Sequence, residues 1–197
     1  MREPVASTPA PRSRATARGS GRAPLWKTNS RAAPAPRLAA PSIDIIVHSP
    51  RWRTQRTIAA LLRRAIRTAA ALVAVRGGEL AVLLADDREL RALNQRWRAK
   101  DEPTNVLSFP AHARAGSRVR PLGDIVIAFE TAAREALAAQ LPLCHHVTHL
   151  AVHGFLHLVG YDHQTEPDAE AMEALEIAVL CRLGVADPYA KRDEPRR

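Results

Sequence analysis

The hydrophobic pattern divides residues 42–190 into four predicted strands and five predicted helices. Runs of Ile, Val and Leu bounded by turn-forming residues predict strands at 42–48, 79–85, 105–109 and 124–129. Apolar residues spaced three and four apart predict helices from about 54 to the glycines at 77–78, and at 87–97, 131–140, 143–159 and 166–183. Strands dominate the first two thirds and helices the last. We therefore predict a single α+β domain in which about five helices cover a small mixed sheet of about four strands.

The ends of the chain differ from this block in composition. Residues 1–41 contain ten Ala, seven Pro, seven Arg and four Ser without hydrophobic periodicity, so we expect a disordered basic extension. Such an Arg- and Ser-rich leader also resembles an organellar transit peptide, and a lineage-specific tail and an over-long start assignment are the alternatives. Residues 191–197 form a short charged tail. No run approaches the ~18 apolar residues of a membrane span, so we expect no membrane partner and a cytoplasmic location, or an organelle as the alternative.

The charge of the chain is distributed unevenly. The 197 residues hold 29 Lys and Arg against 20 Asp and Glu, a formal net charge of +9. Residues 1–41 contribute +7 and residues 191–197 contribute +2, so residues 42–190 sum to zero. Within that block residues 51–120 hold 15 basic and 6 acidic side chains, whereas residues 121–190 hold 2 basic and 10 acidic ones. Net charge alone therefore does not assign a nucleic-acid partner to the domain.

Six of the eight histidines lie between residues 145 and 163, on or just after the fourth predicted helix. His153 and His157 are four residues apart, so on a helix they project from one face, as two ligands of one metal ion require. Gly160 can adopt the left-handed conformation that ends a helix, and His163 follows where it could complete a three-histidine set. Three protein nitrogens and an open fourth position are typical of catalytic zinc. We therefore predict one metal ion per chain at these three histidines, with zinc as the expected ion and other first-row ions as the alternative.

Three separated segments of the chain resemble the motifs of one protein family. They are LNQRWRAKDEPTNVLSFP at 93–110, LGDIVIAFETAAREA at 122–136 and HGFLHLVGYDH at 153–163. The order and spacing also match, as do the downstream residues Met172, Glu173, Glu176, Pro188 and Tyr189. Residues 42–190 are thus similar to the YbeY family of bacterial and organellar endoribonucleases, also called rRNA maturation factors.

The resemblance implies a zinc-dependent endoribonuclease that cleaves single-stranded RNA. It implies roles in 3′ end maturation of small-subunit rRNA and in ribosome quality control, with precursor rRNA and the small ribosomal subunit as partners and no DNA. His153, His157 and His163 are the implied zinc ligands, and Arg98 matches the functional arginine of the family. Because a guanidinium fork suits phosphoryl oxygens better than a point charge does, our hypothesis is that Arg98 holds the scissile phosphate against the metal.

Three further residues are predicted to contact and orient the metal ligands without binding the metal themselves. Asp162 adjoins the last ligand and could orient an imidazole or cap the loop, Asp124 starts the fourth strand, and His149 lies one turn before the first ligand. The histidines at 145 and 146 are interpreted as satisfied or solvated side chains. The general base, and the choice between attack by water and by the RNA 2′-hydroxyl, stay open.

Basic and aromatic residues near the third strand are predicted to contact RNA. The basic set that could follow the RNA backbone is Arg91, Arg96, Arg98 and Lys100. Trp97 is interpreted as a core residue, with base stacking as the alternative. The cluster of Arg63, Arg64 and Arg67 is interpreted as a solvated helix face.

Two other functions compete with the nuclease. Metzincin-type zinc peptidases share the spacing HxxxHxxGxxH but place Glu directly after the first His as the general base, and here that position is Gly154. A non-catalytic ribosome assembly factor would hold a structural metal, which requires a fourth protein ligand. Cys144, the nearest sulfur, lies nine residues before His153. Neither Cys144 nor Cys181 has a paired spacing, which is typical of a reducing compartment.

Overall fold

A computed structural model of the chain describes residues 39–111 and 120–190, and the statements below refer to these two ranges. The predictions for the basic extension up to residue 38 and for the tail at 191–197 lie outside the described residues.

Four strands form one mixed sheet in the order β1-β2-β4-β3. The strands are β1 (Ser42–Val47), β2 (Glu79–Ala85), β3 (Val106–Pro110) and β4 (Pro121–Ala128). β1 and β4 run parallel to β2, one on each side of it, whereas β3 runs antiparallel to β4. The predicted mixed sheet of four strands in an α+β domain is confirmed.

Five α-helices cover this sheet, as predicted. They are α1 (Ile58–Leu72), α2 (Asp87–Arg98), α3 (Phe129–Ala138), α4 (Leu143–Leu158) and α5 (Glu166–Leu183). The main core includes Leu62 of α1, Phe155 of α4 and Ile125 of β4, all fully buried. A second, smaller core lies against α2, where Leu90 packs with Leu107. Within the described ranges no helix is both long and apolar enough to cross a bilayer.

The first predicted helix starts too early, because Thr54 ends a separate 3-10 helix and α1 begins only at Ile58. Pro50–Thr54 is a short 3-10 helix with a proline in its first turn. Its Trp52 is buried, and the indole N–H donates to the Ala85 carbonyl at the end of β2, 2.8 Å away. This long-range bond fixes the turn as an element of its own before α1 begins.

The first predicted helix also ends too late. α1 stops at Leu72 because Ala74 adopts the left-handed conformation, with φ of 55°. The Val75 N–H then returns to the Ala70 carbonyl, 2.9 Å away, which is the long bond of a Schellman ending. Glycine is the usual residue at that position, so the sequence pattern placed the helix end at the later glycine pair.

The junction between β4 and α3 has no connecting residue. β4 begins at Pro121, three residues earlier than predicted, and α3 begins at Phe129, two residues earlier. The Asp87 carboxylate accepts from the Thr131 N–H at 2.9 Å, and the Glu130 carboxylate accepts from the Asp87 N–H at 3.0 Å. Each helix therefore caps free N–H groups at the start of the other, α2 for α3 and α3 for α2.

Gly123 sets the distance between β3 and β4. It has a φ of 132°, and a Cβ atom at this position would lie 2.2 Å from the Phe109 carbonyl oxygen. Only glycine permits this approach, which coincides with the register shift between Glu79 and Leu80 on β2. This close approach holds β3 against β4. β3 in turn forms part of the wall of the candidate site.

Candidate metal centre

A pocket of about 610 Å³ lies where the C-terminal end of α4 meets β3 and the end of α2. His153, His157 and His163 lie on one side of it, and Arg98 and Ser108 are also among its lining residues. The pocket therefore combines residues from three separate parts of the chain.

The structure brings the three predicted metal ligands together. One nitrogen from each of His153, His157 and His163 lies within 4.8 Å of the others, and the first two Nε2 atoms are 3.1 Å apart. Nitrogens bound at zinc's usual distance in a tetrahedral site lie about 3.4 Å from one another. Gly160 makes the arrangement possible because its φ of 98° reverses the chain after α4 and returns His163 to the helix.

Hydrogen bonds orient two of the three imidazoles. His157 Nδ1 lies 3.0 Å from the Tyr161 carbonyl oxygen, and His153 Nδ1 lies 2.8 Å from Oε1 of Glu176. Because both acceptors need a proton on Nδ1, each ring keeps its lone pair on Nε2, which faces the shared position. The donor set therefore fits a metal ion that prefers imidazole nitrogen.

The pKa of His157 is lowered by its surroundings. Burial is the largest cause, and the neighbouring imidazoles of His153 and His163 lower it further. The hydrogen bond to the Tyr161 carbonyl opposes the shift but does not cancel it. His157 is therefore held in the neutral form that a metal ligand requires at neutral pH.

Glu176 is a buried carboxylate that contacts His153 of the site, and its side chain is 1% exposed. It contacts His153 through Oε1, and its Oε2 lies 2.6 Å from Nε2 of His149 and accepts from the Tyr189 hydroxyl. Burial alone would raise its pKa, but these hydrogen bonds outweigh burial and lower the pKa to about 2. The pKa of Tyr189 is raised by burial and by the same contact. Glu176 is thus ionised over the whole working pH range.

Sequence reasoning did not assign Glu176 a role at the metal. The signal was present, because the residue lies among Met172, Val179 and Leu180 on the buried stripe of α5. A carboxylate on such a stripe requires polar partners, and the histidines of α4 supply them.

Arg98 is the last residue of α2 and reaches the pocket where that helix ends. Ala99 adopts the left-handed conformation, with φ of 57°, and reverses the chain. The buried Asn94 side chain then donates to the Glu102 carbonyl at 2.8 Å and ties down the loop that follows. The loop therefore fixes the chain after Arg98, which lines the same pocket as the three histidines of α4 and its ending.

Comparison with known proteins supports the resemblance found in the motifs. The family described as Endoribonuclease YbeY matches residues 46–184. The chain belongs to this family. An Endoribonuclease YbeY from Rhodopseudomonas palustris strain BisA53 is 50% identical over 159 residues, which are 78% of this chain and 92% of the relative. Another, from Bradyrhizobium sp. strain BTAi1, is 48% identical over 165 residues, which are 80% of this chain and 98% of the relative.

One solved structure, the solution structure of TM1509 from Thermotoga maritima, aligns over 76% of this chain and 99% of that one, with a TM-score of 0.46 and 21% identity. Membership of the YbeY family confirms the prediction that the chain is an enzyme of the endoribonuclease class.

Of the three residues predicted to support the histidine cluster, two lie near it and one does not. The Asp162 carboxylate accepts from the His163 backbone N–H at 2.8 Å and lies 3.9 Å from His157 Nδ1, so it both caps the loop and faces a ligand. His149 contacts Glu176 and does not belong to the group of three histidines that lie together. Asp124 instead lines a cavity on the other face of the sheet, because strand alternation turns the neighbouring Ile125 into the main core.

The residues near β3 that were predicted to contact RNA differ in how free their side chains are to do so. Trp97 is 63% exposed, so the interpretation as a core residue is wrong. Its ring meets Phe109 edge-on with 6.0 Å between centroids, and Arg96 lies over it at 5.5 Å. Arg91 is engaged with Asp101 through two hydrogen bonds of 2.8 and 2.7 Å. Base stacking by Trp97 therefore stays a prediction, whereas Arg91 is already paired.

The structure disfavours both competing functions. A Cβ atom at Gly154 would lie 3.0 Å from Ile125 and from Ser108, so this position packs against the sheet and has no space for a peptidase glutamate. Among the described residues, the group that could share a metal ion contains the three histidines alone. Cys144 and Cys181 are both free thiols outside that group. Among residues 39–111 and 120–190, no fourth protein ligand completes a closed structural site.

Proposed function

We propose that this chain is a zinc-dependent endoribonuclease that cleaves single-stranded RNA. Its proposed roles are maturation of the 3′ end of small-subunit rRNA and ribosome quality control. One observation carries the proposal: a three-histidine cluster with an open side and the arginine Arg98 line the same pocket. A metal site and a guanidinium in one pocket match the two needs of phosphodiester cleavage, activation of a nucleophile and neutralisation of phosphoryl charge.

Each group in the pocket has a separate part in the mechanism. A zinc ion held by the three imidazoles would supply a Lewis acid for a phosphoryl oxygen and would activate water near neutral pH. Arg98 holds the same phosphate through its planar fork, and this contact strengthens as charge builds on the phosphoryl oxygens. Glu176 keeps His153 in the required tautomer, and the Tyr161 carbonyl does the same for His157.

An exposed aromatic ring next to Arg98 in the sequence supports single-stranded RNA as the substrate. Trp97 leaves most of its ring exposed one residue before Arg98, and it lines the cavity of Asp124 and Phe109 instead of the metal pocket. An exposed aromatic ring next to a phosphate-binding arginine suits an unpaired base, which can leave its stack and lie on the ring. A duplex would keep its bases stacked on one another and could not use this surface.

The site of action is part of the same proposal. Precursor rRNA within the small ribosomal subunit is the proposed substrate, and the cytoplasm is the proposed location. The two free thiols are consistent with a reducing compartment. An organelle is the alternative if the basic leader directs import.

The deciding experiment compares the wild-type chain with a His157→Ala variant. Metal content and cleavage of a single-stranded RNA from the 3′ end of precursor small-subunit rRNA are measured in parallel, after contaminating nuclease is removed. We expect one zinc ion and cleavage in the wild type, with both reduced in the variant. Equal cleavage by the two proteins would reject the proposal, and RNA binding without cleavage by either would favour an assembly factor.

Analysis of the product ends separates the two routes of attack. A 2′,3′-cyclic phosphate would show that the RNA 2′-hydroxyl attacks first. A linear phosphate from the earliest time points would show direct attack by water.

A further inference from the structure

Four arginines from two helices line a groove that shares no residue with the metal pocket. Its lining residues are Ala60, Arg63, Arg64, Arg67, Thr68 and Ala71 on α1, and Arg182 in the last turn of α5. We call this surface the cationic groove. Its volume is about 570 Å³. The groove depends on the packing of α1 against α5, so the sequence shows only the three α1 arginines as a cluster.

The positive charge of the cationic groove is not neutralised within the described parts of the chain. Arg64, Arg67 and Arg182 are exposed, and Arg63 is half-buried. None of the four takes part in an ion pair among residues 39–111 and 120–190. α1 contains no acidic residue at all. The charge is therefore available to an anion from outside.

The spacing of these arginines on α1 also favours an external anion. Arg63 and Arg67 are four residues apart, and Arg64 and Arg67 are three apart, so like charges face each other on one side of the helix. Such pairs destabilise a helix unless an opposite charge lies between them. A bound anion would remove that repulsion, whereas a solvated face would keep it.

The chemistry of the groove fits phosphate groups. Guanidinium forks match phosphate oxygens, and Arg63 is held in place because its Nε donates to the Ile43 carbonyl at 3.2 Å. The Thr68 hydroxyl donates to the Arg64 carbonyl at 2.9 Å, and the remaining α1 residues of the groove are alanines. Ala60 before the arginines and Ala71 after them are small side chains that leave room for a polymer backbone to approach the helix.

We propose that the cationic groove binds the sugar-phosphate backbone of RNA outside the segment that is cleaved. This inference rests on the proposed function, because it takes the same RNA as its ligand. Four cations contributed by two helices suit a polyanion that extends beyond one phosphate. The groove would hold a long precursor while its single-stranded end enters the metal pocket.

A triple variant, Arg64→Gln, Arg67→Gln and Arg182→Gln, tests the groove. Arg63 is kept because it supports β1. The matched control is Arg53→Gln, Arg76→Gln and Arg88→Gln. These three arginines are exposed and line neither the cationic groove nor the metal pocket. Both sets are made in the full chain carrying His157→Ala, so that RNA remains intact. Fluorescence anisotropy then gives the affinity for a long precursor RNA and for a short single-stranded oligonucleotide over a salt series.

We expect the triple variant to bind the long RNA more weakly than the control does. The slope of log affinity against log salt should fall by roughly 2, since each phosphate contact on a single strand contributes about 0.7. Affinity for the short oligonucleotide should match the control. Equal slopes for the triple variant and its control would overturn the proposal.

Two measurements keep this test separate from the proposed function. If the triple variant does not fold, Arg182→Gln alone at the end of α5 gives the same comparison, with an expected slope change of about 0.7. Cleavage of the short oligonucleotide is measured in the triple variant with His157 restored and should equal the wild type. Absence of cleavage by the wild type would reject the proposed function, whereas an unchanged salt slope would reject the groove.

Discussion

The carboxylate of Glu176 lies 2.8 Å from Nδ1 of His153, so a buried acid on α5 fixes the orientation of a proposed metal ligand on α4. The same carboxylate accepts from His149 and from Tyr189. Its negative charge also increases the electron density on the Nε2 that faces the metal position. Metal affinity at the proposed site therefore depends on the packing of two helices as well as on the three histidines.

Replacing Glu176 with Gln should weaken metal binding while leaving all three ligands in place. The amide has one acceptor oxygen and no charge, so it cannot accept from both His149 and His153. We expect metal affinity to fall about 10- to 100-fold, measured by competition with a chelator. Glu170→Gln, an exposed position on the same helix, serves as the control and should bind metal like the wild type. Unchanged affinity in Glu176→Gln would show that the contact does not support the ligand.

Acid should destabilise the metal-free chain through Glu176. Its pKa is about 2 in the folded chain against an ordinary value of 4.5, so the ionised carboxylate stabilises the fold. That contribution, on the order of 3 kcal/mol, is fully present above about pH 4.5 and is lost as the pH falls towards 2. Denaturant unfolding of wild type and Glu176→Gln should therefore give free energies that converge below pH 4.5. Parallel curves over that range would contradict the pKa assignment. Tyr189→Phe removes one donor and should move the loss to higher pH.

The proximity of the three histidines could be predicted from the sequence because they lie close together along the chain. His153, His157 and Gly160 lie on one helix and its ending, so helical spacing alone sets their relative positions, and His163 follows within three residues. Glu176 comes from the next helix, and its contact depends on how α4 and α5 pack. Hydrophobic spacing predicts that two helices exist, but it does not predict which residues meet between them.

The position of Asp124 shows a second limit of the sequence. Neighbouring residues on a strand face opposite sides of a sheet, so an error of one residue moves a side chain to the other face. Predicting a strand at 124–129 did not determine which side would meet α4. Ile125 takes that side, and Asp124 faces away from the metal pocket. Both faces of the strand carry apolar residues, so tertiary packing decides which face meets α4.

Gly123→Ala should disrupt the wall of the metal pocket. The added Cβ would lie 2.2 Å from the Phe109 carbonyl oxygen, so β3 must move away from β4. Gly77→Ala is the matched control, because Gly77 also has a positive φ, of 61°, but an added Cβ there contacts nothing within 4 Å. We expect the free energy of unfolding to fall by about 1 kcal/mol in the control, because of left-handed strain. In Gly123→Ala it should fall by at least ~2 kcal/mol more. Thermal unfolding measures both, and equal losses would show that β3 tolerates the displacement.

Arg98→Lys separates the geometry of the guanidinium from its charge. Lysine keeps the positive charge but would offer a point contact in place of the planar fork that we propose Arg98 offers to the scissile phosphate. A charge-assisted hydrogen bond contributes about 1.5–3 kcal/mol, so RNA cleavage should fall about 10- to 100-fold while metal affinity stays at the wild-type value. Arg88→Lys, near the other end of α2 and outside the pocket, is the control and should cleave normally. Full activity in Arg98→Lys would mean that a positive charge at this position is sufficient. A loss of metal affinity would place Arg98 among the groups that organise the histidines.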